Sequence, residues 1–517
     1  MKNLFTNYLT TFLGLALGFI LIPFLIHKLG KDAYGLIVLA ESTIAFFEMA
    51  SVSIRMSLSR FATLALAQNK KNEFESYLST VRVILIVSSL LVLAVGLGLS
   101  ASFDRIFQVP AQFHSQSRAL FLLISIAFAT SIPNMVYWSV LYANHRYDLI
   151  NMSTTYGIIF RAASLLLIFS FLPSRYVSIT TYGLVYVLTL WIQNLAVYLW
   201  VRKIMPGLKI AARSFNAVKA KEVLAYSGYV GLGQASGLLK YNVTAILINL
   251  FWGPAYNAIY AVGMKFPSIL TRLFEEATWS LTSTFQELVA QDDRGKIRRL
   301  YYLYTKFVTL VTAPICFTLI FIAKPLILLW VGADFIYAAT LLPILLVPLF
   351  FQIPLGVSGC LIQAHGKIKM PSVGSLIAAC GSILLGIVLA RVFDLGLIGF
   401  AVSHALVSCF YMIGFSSWYA CKISGIPVID YWQKAMILPW LWSAIMSFGC
   451  FFLMERLLAE KSYALAGLTL IGSIFIYGIA AYWVVLDSTE KEQLDKVFKF
   501  GQKRFREGVL GSPLEAL

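Results

Sequence analysis

The sequence predicts an all-α polytopic membrane protein with about 14 transmembrane helices, in two parallel six-helix lobes plus two C-terminal helices. Three observations carry this. Of 517 residues, 59% are hydrophobic and only 13% charged, where a soluble domain is about 45–50% apolar and roughly 25% charged. The apolar residues fall in runs long enough to cross a bilayer, each near 20 residues. The chain also repeats itself at a fixed offset. A soluble enzyme, a disordered chain and a secreted disulfide scaffold are excluded on composition.

The expected helices follow in order. The first, 4–26, begins after Lys2 and is too long for a signal-peptide core, so it reads as a span. The second, 34–66, is long and amphipathic and carries Glu41, Glu48, Arg55 and Arg60. The third to sixth cover 78–101, 118–142, 149–172 and 176–201; Arg161 interrupts the fifth. A basic linker, 203–222, separates them from the seventh, 223–251, which holds Lys240, and from the eighth, 257–289. The eighth repeats the design of the second, with Lys265, Ser268, Arg272, Glu276, Ser283 and Glu287. The rest are 300–323, 338–364, 370–390, 397–421, 435–454 and 462–486. The expected division is an N-lobe (1–202), the linker, a C-lobe (223–425), helices 13 and 14 (426–486) and a basic tail (487–517). That tail alternates basic residues with Leu494, Val497, Phe498 and Phe505, a pattern suited to an amphipathic helix on anionic lipid.

Charge sets the orientation. The formal net charge is +17, which in a soluble protein suggests nucleic acid and in a membrane protein reads as the positive-inside rule. With the N-terminus inside, the inner segments hold 24 Lys and Arg and the outer ones nine. Both termini are therefore expected in the cytoplasm. The six cysteines lack any CxxC pair and lie in or at the ends of apolar runs, so they read as small core residues. The five histidines are dispersed, and no metal site is expected.

The repeat is visible in KLGKDAYGL (28–36) against FWGPAYNAI (251–259), which sets Ala33-Tyr34 over Ala255-Tyr256. Ala67-Gln68 falls over Ala290-Gln291, and YANHRYD (142–148) over QAHGKIK (363–369). The offset stays at 221–223 residues. It contains six spans, an even number, so the halves share one topology.

Interior charge is the chemical signal. An ionisable group at mid-bilayer costs roughly 2.5–3.5 kcal/mol on insertion scales, so it pairs or lines a wet cavity. Arg272, Lys265, Lys240, Arg161, Arg55 and Arg60 make a candidate cationic cavity; Glu41, Glu48 and Glu276 are candidates for charge tuning or ion coupling. The competing reading is ion pairs that hold helices together, or side chains snorkelling from span ends. A cationic cavity suits a phosphate-bearing headgroup, with Arg as planar donor and Lys as point charge. GLGQASG (231–237) lies inside a span, and close helix packing explains it and Gly14.

Four stretches, PFLIHKLGKDAYGLIVL (23–39) with FFEMASVSIRMSLSRFATLA (46–65), LLKYNVTAILINLFWGPAYNAIYAVGMKF (238–266), AKPLILLWVGADFIYAATLLPIL (323–345) and CLIQAHGKIKMP (360–371), resemble the polysaccharide transporters. These are O-antigen and exopolysaccharide flippases of the multidrug/oligosaccharidyl-lipid/polysaccharide exporter superfamily. The resemblance spans residues 1–425. It implies two lobes in a V around a central cavity, alternating access, and export of a polyprenyl-pyrophosphate-linked oligosaccharide. Related lipid II flippases depend on arginines in helices 2 and 8; here Arg272 fits helix 8, and Arg55 or Arg60 fits helix 2. Glu48 and Ser53 stand where the family often has Asp and Gly, fourteen spans exceed the twelve of many O-antigen flippases, and the arginine-rich first helix of lipid II flippases is absent.

The expected function is thus a flippase of the bacterial cytoplasmic (inner) membrane, without enzymatic activity or cofactor; proton or sodium coupling is an open alternative that the sequence does not decide. Its expected partners are the lipid-linked glycan, membrane lipid and other polysaccharide-assembly proteins, with no nucleic acid. A cation-coupled multidrug antiporter of the same superfamily would want a buried acid in helix 1 or 7, where helix 1 has none and helix 7 has Lys240. A membrane glycan polymerase or ligase would want a sizeable outer loop, and the longest here is 102–117.

Overall fold

The computed structural model describes residues 2–211, 214–279 and 281–459, with 477, 481, 483, 485 and 491. Among them every regular element is helical, as lipid requires of a spanning chain whose backbone groups must bond within their own segment. The helices are α1 (Lys2–Leu29), α2 (Lys31–Ala67), α3 (Lys71–Ala101), α4 (Ala111–Ala143), α5 (Tyr147–Phe171) and α6 (Ile179–Ile204). Next, α7 runs from Ala217–Leu238 through a π turn (Leu239–Val243) to Thr244–Trp252, and α8 comprises Pro254–Trp279 and Leu281–Ala290. Then come α9 (Arg294–Phe321), α10 (Ala333–Ala364), α11 (Lys369–Arg391) and α12 (Gly396–Ser424). A π turn also lies within α12 (Tyr411–Ser416), and α13 runs from Val428–Trp432 through another (Gln433–Ile437) to Leu438–Ala459.

Ten of the described helices, α1–α6 and α9–α12, are long and apolar enough to cross a membrane. The expected seventh, eighth and thirteenth are present as α7, α8 and α13. Of the expected fourteenth, only Tyr477, Ala481, Trp483 and Val485 lie among the described residues. The basic tail lies outside them apart from Lys491. A short helix, Ala323–Val331, occupies what the sequence reads as an outer loop. Large apolar side chains such as Leu90, Leu91 and Phe410 stay exposed on outward faces, an arrangement that suits hydrocarbon rather than water.

The sequence repeat extends to backbone torsions. Gly30 before α2 has φ 89° and ψ 167°, and Gly253 before α8 has φ 88° and ψ −177°. Both stop one helix and start the next in a conformation that only glycine adopts without strain. Asn69 and Asp292 after those helices are both left-handed (φ 57° and 49°), as are His145 and Gly366 (φ 54° and 67°). All three pairs keep the offset read from the sequence.

The chain divides into two compact units, Met1–Ala261 and Val262–Leu517. The repeat alone sets the boundary in the linker 203–222, whereas contacts group α7 with the first unit, because α7 lies along α2. There Ser227 Oγ donates to Ser57 Oγ at 2.9 Å, both buried. Gly231 lies against Ser53: a Cβ on it would sit 3.4 Å from the Ser53 hydroxyl. Small residues let two backbones approach where lipid offers no hydrophobic drive. Gly14 does the same for α1 against Ile158 of α5.

In the second unit, Tyr301 of α9 and Tyr431 of α13 stack with ring centroids 4.7 Å apart. Both are fully buried, with hydroxyls satisfied: Tyr301 shares a 2.6 Å bond with Ser358 Oγ, and Tyr431 donates to Thr305 Oγ1 at 3.1 Å. A buried tyrosine needs such a partner.

Candidate functional site: interior charges in each unit

In the first unit the site grows from α2. Glu41 lies on its inward face, and two other helices reach it. Tyr182 of α6 donates its hydroxyl to Glu41 Oε1 at 2.7 Å. Arg161 of α5 places Nη1 3.7 Å from the same oxygen. Tyr186 follows Tyr182 by one turn and lies on the same face of α6. The Arg161 and Glu41 side chains remain 37% and 40% exposed, so the pair is not sealed in a packed core.

Geometry separates this pair from Arg118 and Arg146. Arg118 forks onto Asp104 at 2.6 and 2.8 Å, and Arg146 onto Asp148 at 3.0 and 3.1 Å. Those are full charge-assisted, bidentate hydrogen bonds. Arg118 thereby holds the Asp104 carboxyl below its usual range. A contact of 3.7 Å is beyond hydrogen-bond length. Arg161 therefore attracts Glu41 without spending its donors on it.

Further along α2, Glu48 is exposed, with Arg55 two turns on. The Arg55 guanidinium stands 5.8 Å from the Tyr142 ring, and its Nε is buried with no hydrogen-bond partner. Such an unsatisfied buried donor costs about 1–3 kcal/mol. Arg60, at the Ala67 end, is exposed and lies 4.4 Å from the Tyr226 ring of α7. Lys240 falls within the π turn of α7, its ammonium 5.4 Å from the Tyr241 ring. π turns often sit at functional positions because they rotate side chains out of the helical register.

In the second unit, Arg272 and Glu276 are one turn apart on α8, with Arg272 Nε 3.8 Å from Glu276 Oε1. Arg272 is 63% exposed, so here too the guanidinium is loosely held. Lys265, two turns earlier, accepts at its carbonyl the Ser268 hydroxyl, 2.8 Å away. The structure thus joins Arg161 with Glu41 and Arg272 with Glu276.

Sequence reading did not find the tyrosines. Tyr182 and Tyr186 lie among apolar residues of α6 and look like ordinary core there. The available signal was their spacing of four, one face of a helix.

Each unit of this helical chain thus holds a loosely paired arginine. Residues 28–340 match the family described as polysaccharide biosynthesis protein, and the chain belongs to that family. A relative from Bacillus subtilis (strain 168), the uncharacterized membrane protein EpsK, is 23% identical over 505 residues, covering 96% of this chain and 97% of its own. The fold is similar to that of the lipid II flippase MurJ in an inward closed conformation: TM-score 0.66, 17% identity, 93% of this chain and 98% of that one. It is also similar to an inward-facing multidrug resistance MATE transporter of the MOP superfamily: TM-score 0.63, 13% identity, 81% and 96%. The fold is therefore that of the MOP transporters.

Proposed function

We propose that the chain is a flippase, moving a polyprenyl-pyrophosphate-linked oligosaccharide across the cytoplasmic membrane for surface polysaccharide assembly. The headgroup site is exposed alternately to the two sides while the polyprenyl tail stays in lipid. The observation that carries the reading is the looseness of the interior pairs. Arg161 in the first unit and Arg272 in the second each keep hydrogen-bond donors available, so a pyrophosphate can take either one without breaking a bidentate bond. Lys240, Lys265, Arg55 and Arg60 add positive potential. Family membership and the MOP fold support the same reading. Transport needs no cofactor; a proton or sodium gradient acts through Glu41, Glu48 or Glu276. Both termini lie in the cytoplasm, as the distribution of Lys and Arg indicates.

The test is movement of a labelled lipid-linked oligosaccharide across proteoliposomes containing the purified protein. Hydrogen bonds to charged groups are worth about 1.5–3 kcal/mol, so Arg272→Ala and Arg161→Ala are each expected to slow transport at least about tenfold at unchanged protein level. Unchanged transport in both variants overturns the assignment. Transport of organic cations with no movement of the lipid-linked glycan assigns the chain to drug antiport instead.

A further inference from the structure

A second candidate site lies wholly within the second unit. It is a cavity of about 330 Å³ bounded by α8, α10, the start of α11 and α12. Its volume falls at the small end of the roughly 300–1,000 Å³ of small-molecule pockets, enough for a sugar ring and too little for a polyprenyl chain. The lining is amide, hydroxyl and aromatic: Gln352 and Gln363 of α10, Ser372 of α11, Thr278 of α8, with Phe274 and Tyr411. The charged side chain in the lining is the carboxylate of Glu275, and among the described residues no Lys or Arg lines it. Such walls repel a phosphate or a uronic acid. They match a ring whose hydroxyls both donate and accept while its C–H faces lie on aromatic rings.

The cavity is also preformed. Tyr411 donates to the Pro371 carbonyl at 2.9 Å and stacks on Phe415, which stacks on Tyr419. Its ring is thereby fixed as a platform. The segment Tyr411–Ser416 is a π turn, which sets Tyr411, Met412 and Ser416 against the same space. On α10 the wall is cut back by Gly356 and Gly359. A Cβ at Gly359 would meet nothing within 4 Å, so the space beside it is open. The hydroxyls of Ser372 and Thr278 donate to the carbonyls four residues earlier, of Ile368 and Phe274, and their lone pairs remain for a ligand's donors.

We infer that this cavity is a sugar subsite, taking one uncharged pyranose, a hexose or N-acetylhexosamine, and rejecting uronic acids. The inference rests on the reading of the chain as a transporter of lipid-linked glycan. It supplies what the interior cations lack, since a cationic site selects a pyrophosphate without regard to the sugar attached.

Saturation-transfer NMR on the full-length protein in nanodiscs, with glucose, N-acetylglucosamine and glucuronic acid as probes, tests it. A response is expected from at least one uncharged sugar and none from glucuronic acid. Gly359→Phe, which fills the space, is expected to abolish that response. Gln363→Ala removes one hydrogen-bonding amide and is expected to weaken binding about fivefold. Melting temperature and elution profile of both variants report folding. No response to either uncharged sugar, an equal response to glucuronic acid, or a response unchanged in both folded variants overturns the subsite. The flippase reading fails separately: in that case wild-type proteoliposomes move no lipid-linked oligosaccharide, whatever the sugars do.

Discussion

The Asn257 side-chain amide donates to the Gly35 carbonyl at 3.3 Å, and these two residues occupy corresponding positions of the sequence repeat. The start of α8 therefore meets the start of α2 within the first unit. Gly35 is required there: a Cβ on it would fall on the Pro254 carbonyl. Backbone cannot retreat as a flexible side chain can. Gly35→Leu is expected to destabilise the protein by about 1–3 kcal/mol, the usual range for overpacking. Thermal unfolding of the purified protein checks this, with Gly30→Ala as the contrasting variant: its cost comes from positive φ with nothing within 4 Å.

The Glu41 cluster gives a second prediction. Tyr182→Phe removes the 2.7 Å bond to Glu41 while keeping the ring, so the carboxylate is left with Arg161 as its remaining close partner in the cluster. Under the proposed function, Arg161 then binds Glu41 more tightly and a pyrophosphate less well. Transport in proteoliposomes is expected to fall severalfold. Glu41→Gln in the same background is expected to restore part of it, since the competing charge is gone.

The junction of α2 and α7 is the third. Ser57 and Ser227 share a buried hydrogen bond. Interhelical hydrogen bonds in membranes are worth about 0.6 kcal/mol on average and up to about 1.7. Ser57→Ala is expected to cost that little. Ser227→Leu adds bulk where α2 lies close and is expected to cost clearly more. Denaturant unfolding of both variants measures the difference.

Acid sensitivity is the fourth. Arg118 depresses the Asp104 carboxyl, so the folded form binds this proton less readily than the unfolded chain. The stabilisation is present above the ordinary carboxylate range and is lost as pH falls through the depressed value. His114 Nδ1 also faces this carboxylate, at 3.4 Å. Asp104→Asn is expected to lower the melting temperature near neutrality and to flatten its decline in acid. Melting curves from neutral pH downward show whether it does.

Orientation is the fifth. Lys70 and Lys71 follow α2, and Arg146 precedes α5; in the topology proposed from the positive-inside rule both turns face the cytoplasm. A reporter fused after Asn69 is expected to act as cytoplasmic, and one fused after Val109 as external. The opposite pattern reverses the assigned topology.

Composition and periodicity determined the class of this protein: bilayer-length apolar runs leave helices as the available solution, and a constant offset forces a duplicated topology. Arg161, Lys240 and Arg272 stood out because a charge in an apolar run is expensive and has to be explained. Arg272 meets Glu276 one turn along its own helix, a pairing the spacing already offers, but the partner of Arg161 was beyond sequence reading. Glu41 and Tyr182 are separated by 141 residues, and only the packing of α2 against α6 brings them together. The sugar-sized cavity was equally hidden, since its polar wall is scattered over four helices and each lining residue alone looks like helix packing. Periodicity reports which face of a helix is buried; what that face meets depends on the neighbouring helices, and those are chosen in three dimensions.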